Sequence, residues 1–506
     1  MPPMTEVITG GAFQGAATAV PIPTARGKSE PTSTLIACGV IAIADVGFLL
    51  SSDQFIHWFL IPVSICGVLA GTDAIDWLRE RTGLYDPIGV LGILGFHVFF
   101  LAPLLHVEWD YWMHDTAAPP DWRPWLGYMA GLNVVGLVCY RISRNLVSRR
   151  LPEPSYWHLD RDRFRIVTPI LIAVSAIAQV YTYYMFGGIG GYVEARMTTP
   201  QAFEGMGPFF MISESAPILI ALYIIVSSKG RDIRWSRAAI AMALLFAIQL
   251  FFGGLRGSRS ATVELLFWVA GGIHFLIKPI PRKLVYVGVV LLIGFLYLYG
   301  FYKSMGANAT QLLSTPEARE HAEQRTGRSM ATLVLGDLAR ADVQAFILYK
   351  LVNDGADFSY ALGRTYIGAV SMYVPRFILE ERPATKLKEG TEIQYGGYGE
   401  ERASSRVYGL AGEAMLNFGP LIVPVAFAVL GVLVGWMSKS IRMLRPGDAR
   451  FLLAPYAAYL SMALLTADSD NVVFGLAKNV FLPLLVVVIC AKRKNVCRRL
   501  SVERGY

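Results

Sequence analysis

Charge is scarce in this 506-residue chain: 17% of the residues are Asp, Glu, Lys or Arg, against 54% hydrophobic. Soluble domains usually carry about 25% charge, so the composition excludes a string of soluble domains. Cysteine is scarcer still, at five residues. Cys38, Cys66, Cys139 and Cys490 lie in or at the ends of apolar runs, and Cys497 lies in a basic tail. That distribution offers neither a disulfide framework nor a thiolate metal site. The chain also lacks an internal repeat, a nucleotide-binding glycine loop and zinc-type histidine spacing. No ATP-driven machine, no cofactor and no bound metal is therefore expected.

What the chain has in quantity is long apolar runs. A helix needs about 20 such residues to cross the hydrocarbon of a bilayer. Twelve runs qualify, at about 34–50, 55–71, 88–106, 125–140, 166–186, 208–227, 238–253, 260–277, 284–302, 413–437, 451–467 and 472–490. They predict an all-α, polytopic membrane protein with about 12 transmembrane helices. Residues 1–33, rich in Gly, Ala, Pro and Thr and without the features of a cleavable signal peptide, read as a disordered cytoplasmic tail. Nine spans follow over 34–302, then a large extracytoplasmic segment over 303–411 with amphipathic or re-entrant helices. The last three spans fill 412–490, and 491–506 forms a basic tail.

Orientation follows from lysine and arginine. With the N-terminus in the cytoplasm, the inside segments hold 28 of these residues and the short outside loops 4. The segment 303–411 holds 13, but long translocated loops are largely exempt from the positive-inside rule. Both termini are therefore expected in the cytoplasm. The net charge of +8 reflects topology and membrane lipid, with no nucleic-acid partner.

Half of the short outside-loop charge sits in one turn, "FFGGLRGSRSATVELL" (251–266). Arg256 and Arg259 stand at the mouth of a helix beginning near Ser260, where free N–H groups and the helix dipole favour an anion. Neighbouring glycines let a bulky anion approach, and two guanidiniums can grip phosphate oxygens bidentately. The plainer alternative is that both arginines snorkel or pair with Glu264. Lys478, inside the last span, has Asp468 and Asp470 of "TADSDN" as its expected partners. A weak two-carboxylate metal site there is the competing reading. In 330–352, Asp337 and Arg340 share one helix face, and Arg364, Tyr366, Tyr373 and Arg376 punctuate the apolar 360–379. Both stretches read as helices packed on the outer membrane surface or dipping into it.

The order "YVPRFILEERPATKLKEG", then a polar glycine-rich loop, then "GE…NFGP" leading into an apolar helix, resembles bacterial O-antigen or oligosaccharide repeat-unit polymerases of the Wzy type. "GGLRGSRS" is similar to their arginine-bearing outside turn. The resemblance covers about 250–440 by motif and the rest by topology. It implies kinship with GT-C-type integral-membrane glycosyltransferases and polymerisation of undecaprenyl-pyrophosphate-linked oligosaccharides at the outer face of the bacterial inner membrane. A chain-length regulator and a flippase would then be partners. Such chemistry needs cations on the departing pyrophosphate and a group that accepts the acceptor hydroxyl's proton. Arg256 and Arg259 are the first candidates for the former, with Arg340, Arg364 and Arg376 next. Glu413, Asp337 and Asp342 are the candidates for the latter, ahead of His321. Tyr360, Tyr366, Tyr373, Tyr395 and Tyr398 could stack on sugars. Two alternatives stay open. An O-antigen ligase or other polyprenyl-phosphate glycosyltransferase would use the same arginines, and a transporter or flippase of lipid-linked sugars would share the topology.

Overall fold

In hydrocarbon every backbone N–H must find its acceptor within its own segment, so apolar runs of this length become helices. The computed structural model of the protein describes residues 31–494, apart from 114–115, 117, 149–154, 199, 204–205, 231–232, 254, 256–258, 306–315, 354–357, 375–377 and 400–405. It is mostly helical. Among the described residues, ten helices are long and apolar enough to cross a membrane: Pro31–Ser51, Leu60–Leu78, Pro87–Glu108, Arg123–Val147, Arg161–Met185, Phe209–Ser227, Trp235–Phe252, Arg282–Tyr302, Pro420–Arg442 and Ser469–Cys490.

Two of the twelve expected spans fall short of that standard. The run at 260–277 forms helix Arg259–Leu276, whose apolarity is broken by Arg259, Glu264 and His274. The run at 451–467 forms a helix of only 13 residues, Ala454–Thr466. A third expected span, 413–437, is two helices. Helix Gly409–Phe418 ends at Gly419, which has φ +84°, and Pro420 opens the turn into helix Val423–Arg442. A left-handed glycine followed by a proline stops a helix, since the one reverses the chain and the other supplies no N–H.

The ends of the chain differ from expectation as well. Pro31 starts the first helix, so residues 31–33 are not tail. Residues 491–494 pair antiparallel with Tyr156–Leu159 in a two-stranded ribbon, which is all the sheet among the described residues. Asp448 anchors this ribbon, accepting from Trp157 N at 3.3 Å and pairing with Arg450 at 2.7 Å. The ribbon closes the bundle at the far end of the Ser469–Cys490 helix.

Close helix contact uses small residues, because lipid tails give apolar side chains no preference for one another. Helix Val423–Arg442 lies so tightly on helix Arg123–Ser148 that a Cβ on Gly435 would sit 2.7 Å from the Arg144 carbonyl. Helix Arg123–Ser148 is also tied to helix Leu60–Leu78 by a buried bidentate Arg144–Asp73 bridge at 2.6 and 2.9 Å.

Part of the segment 303–411 packs among the long helices. The segment carries helices Pro316–Thr326, Ala341–Asn353, Arg364–Ser371 and Lys386–Tyr395. Helix Ala341–Asn353 is sunk among the spans: Phe346, Ile347, Leu348 and Leu351 share one core with Leu137, Leu416 and Phe427, and Trp125 meets Tyr349 edge-on at 5.2 Å. The expected helix over 330–352 is interrupted. A π-helical turn, Thr332–Asp337, precedes it, and residues 338–340 break the run.

Two single cysteines test the expected orientation. A cysteine at the exposed Gly397 should react with an impermeant thiol reagent from outside, and one at the exposed Arg161 should react only after the membrane is opened. The reverse labelling pattern would put Arg259 on the cytoplasmic side.

Candidate functional site

The turn Thr466–Asp470 gathers polar groups from three distant parts of the chain. Arg340 Nε donates to the Thr466 carbonyl at 3.0 Å. The Lys386 ammonium lies 2.7 Å from Asp468 Oδ2 and 3.6 Å from the centre of the Tyr408 ring. Asp468 Oδ1 accepts from the N–H groups of Tyr408 and Gly409, both at 2.8 Å. Ser469 donates to Glu413 twice, N to Oε2 at 2.6 Å and Oγ to Oε1 at 2.5 Å. Asp470 Oδ2 accepts from Leu387 N at 3.2 Å. The approach is close: Gly409 has φ +68°, and a Cβ there would lie 3.0 Å from the Leu465 carbonyl. Only glycine satisfies both conditions without strain.

The cationic side lies next to it. Arg259 grips Asp337 with two nitrogens, at 2.7 and 3.2 Å, and Arg328 reaches the same carboxylate at 2.9 Å. Burial would raise the Asp337 carboxyl, but the Arg259 and Arg328 guanidiniums outweigh it and hold the group below the usual carboxylate range. Arg340 spends its Nη1 on the carbonyls of Gly336 and Asp337, at 3.2 and 2.9 Å. It caps the C-terminal end of the π-helical turn. Arg406 meets Asp342 at 3.2 Å, and the Arg406 carbonyl accepts from Lys386 Nζ.

Charge therefore separates across the site. Around Asp337 three arginines face one carboxylate, whereas beyond Asp468 the buried Glu413 has hydroxyls and an amide for partners. Thr365 Oγ1 donates to Glu413 Oε1 at 2.7 Å and itself accepts from Asn417 Nδ2 at 2.8 Å. Burial, with the Asp468 carboxylate close by, pushes the Glu413 carboxyl up to about 7. Glu413 also receives the first N–H of the Ser469 helix, where the dipole favours a carboxylate.

No protein-family model, curated protein or solved structure matches the chain.

Of the residues singled out in the sequence, Arg259, Arg340, Asp337, Asp342 and Glu413 come together here. Arg364 stands apart, half exposed and bridged to Glu389 at 3.0 Å. Arg256 and Arg376 lie outside the described residues, and His321 is exposed on helix Pro316–Thr326. Tyr366 stacks on Phe418 at 6.5 Å, and Tyr373 donates to the Val473 carbonyl at 3.3 Å.

Three readings of the sequence are corrected. Asp337 and Arg340 do not share one helix face, because the chain leaves the helix between them. The alternative pairing of Arg259 with Glu264 is not formed: Arg259 turns to Asp337, and Glu264 accepts from Asn479 at 2.7 Å. Lys478 pairs with Glu214 at 2.6 Å, not with Asp468 or Asp470, since those carboxylates stand at the start of the helix and are engaged by Lys386 and by Leu387 N.

Arg328, Lys386, Arg406, Thr365 and Ser469 were not found from sequence. Lys386 and Arg406 do fall within the family-like stretch, in "ATKLKEG" and "SSRVYG". Nothing local separates them from ordinary surface cations.

Proposed function

We propose that this protein polymerises oligosaccharide repeat units carried on undecaprenyl pyrophosphate, at the outer face of a bacterial inner membrane. The observation that carries the reading is the excess of guanidinium around Asp337, joined through one turn to a carboxylate whose affinity for a proton is tuned near neutrality. Asp337 keeps Arg259 and Arg328 oriented. A pyrophosphate, with more oxygens and more charge, competes for both forks and gains bidentate contacts that strengthen as its bond to the sugar breaks.

The acceptor sugar's hydroxyl attacks the anomeric carbon of the growing chain. The bond to pyrophosphate breaks with its electron pair, and the lipid pyrophosphate departs under the arginines. The hydroxyl proton passes to Ser469 Oγ, which gives its own proton to Glu413 Oε1 along their 2.5 Å hydrogen bond. Arg340, held by backbone carbonyls, positions the two halves of the site. An O-antigen ligase would use the same groups with a different acceptor.

Purified protein given lipid-linked repeat units should form a ladder of polymer without nucleotide and in the presence of EDTA. Because Glu413 must be ionised to accept a proton, the rate should rise with pH through about 7 and then level off. Glu413→Gln should be slow and lose that profile. A strict requirement for added divalent metal would sink the arginine mechanism and turn attention to Asp468 and Asp470 as ligands. A flippase or transporter is favoured by one observation, the buried Lys478–Glu214 pair within the helices. That reading predicts no new glycosidic bond in detergent, where there are no two sides to transport between.

A further inference from the structure

Glu264 follows Arg259 by five residues on helix Arg259–Leu276, at a depth where it is 3% exposed. Its Oε2 accepts a hydrogen bond from Asn479 Nδ2 at 2.7 Å. Among the described residues no donor reaches its Oε1, and no cation lies within ion-pair distance of it. Lys478, adjacent to Asn479, is engaged by Glu214 at 2.6 Å, with both side chains under 5% exposed. Lys478 and Asn479 occupy a π-helical turn, Leu476–Val480. Such turns are rare and concentrate at functional positions. This one turns consecutive side chains toward two different carboxylates.

The surroundings of Glu264 offer little else. Tyr456 and Tyr459 face it from helix Ala454–Thr466. Helix Ala216–Ser227 has no charged residue, helix Trp235–Phe252 has only Arg237 near its start, and helix Arg282–Met305 carries cations only in its first and last turns. The turn Ala449–Leu452 contributes Arg450, which is held by Asp448. An ionised carboxylate with one neutral donor in such a place is costly, and a carboxyl so buried takes up a proton instead. The protonated form gains an O–H donor and still accepts from Asn479.

We propose that Glu264 is a proton-binding site inside the helical bundle, with the proton on Oε1 while Lys478 stays with Glu214. Release breaks the Oε1–H bond, delivers the proton to water and leaves a second carboxylate, which draws the Lys478 ammonium from Glu214 toward Glu264. The site is independent of the glycan reading, and its test needs no glycan.

Infrared difference spectra of the full-length protein in lipid nanodiscs, titrated from acid to alkaline pH, should show a protonated-carboxyl C=O band that is lost as pH rises. Glu264→Gln should fold with wild-type thermal stability, because the amide mimics the neutral acid, and should lose one component of the band, distinct from the component that Glu413→Gln removes. Glu214→Gln frees Lys478 for Glu264, so its band should vanish at a lower pH than in wild type. No band in wild type, a band unchanged by Glu264→Gln, or a Glu264→Gln protein that cannot fold would each overturn the proposal. A midpoint unmoved in Glu214→Gln would overturn the Lys478 exchange. Sodium ions alone, added at fixed pH, should leave the wild-type band unchanged. Loss of the band on adding them would assign the site to a metal cation and overturn the proton reading.

Discussion

Arg259→Ala is expected to slow polymer formation by about 10²–10³-fold, the usual cost of removing one preorganised donor from a developing anion. The protein should still insert and fold, because Asp337 keeps Arg328 at 2.9 Å and the start of the helix does not depend on the guanidinium. Arg259→Lys restores the charge but not the two-nitrogen grip, so recovery should be partial. Arg364→Ala is the matched control. Its half-exposed bridge to Glu389 belongs to a class worth about 0–1 kcal/mol, and the rate should stay close to wild type. Ladder formation from lipid-linked repeat units, normalised to folded protein, reads all three. An Arg259→Ala protein with the wild-type rate would show that this arginine only ties the turn to Asp337.

Lys386→Met should have the largest effect on stability. The ammonium is 1% exposed and compensates Asp468, itself 3% exposed, and removing one partner of a buried pair typically costs about 3–5 kcal/mol. The loss reaches further than one bridge, since Asp468 also holds the N–H groups of Tyr408 and Gly409 at the start of helix Gly409–Phe418. Thermal unfolding in detergent should show a clearly lowered midpoint for Lys386→Met. Adding Asp468→Asn should recover part of it, because the orphan charge is then gone while an amide oxygen still accepts the two N–H groups. A single variant that melts with the wild type would mean that water reaches Asp468 and that the pair is not sealed.

The two experiments probe different readings of the same network. The arginine side has cations to spare and is suited to a ligand. The lysine side is charge-balanced and holds the turn Thr466–Asp470 in place. Glu413 lies between these roles: it ties helix Gly409–Phe418 to Thr365 and Ser469, and it is also the carboxyl whose proton affinity suits acid–base work at neutral pH. The pH profile of Glu413→Gln separates the two, because a purely structural carboxylate would lower the amount of folded protein and leave the shape of the profile alone.

Composition and order of residues dictate a great deal here. Apolar runs of about 20 residues can satisfy their backbone only as helices, so the helical class and most of the spans are legible one segment at a time. Arg259 was legible too, as an unexplained cation in a short turn, and so were Asp337 and Glu413, as charges in apolar company. Packing decides the rest. Asp337 lies 78 residues from Arg259, and Lys478 lies 264 residues from Glu214. No periodicity encodes such partners, because an ion pair is chosen by which helix ends arrive together and which carboxylates are already engaged. The apolar helix at 413–437 breaks at Gly419, since a glycine and a proline weigh little in a hydropathy average yet determine where a backbone turns. Helix Ala341–Asn353 is legible as a helix, but its place in the core depends on the room that neighbouring helices leave. Local physics makes the helices, and only their assembly puts three guanidiniums around one carboxylate.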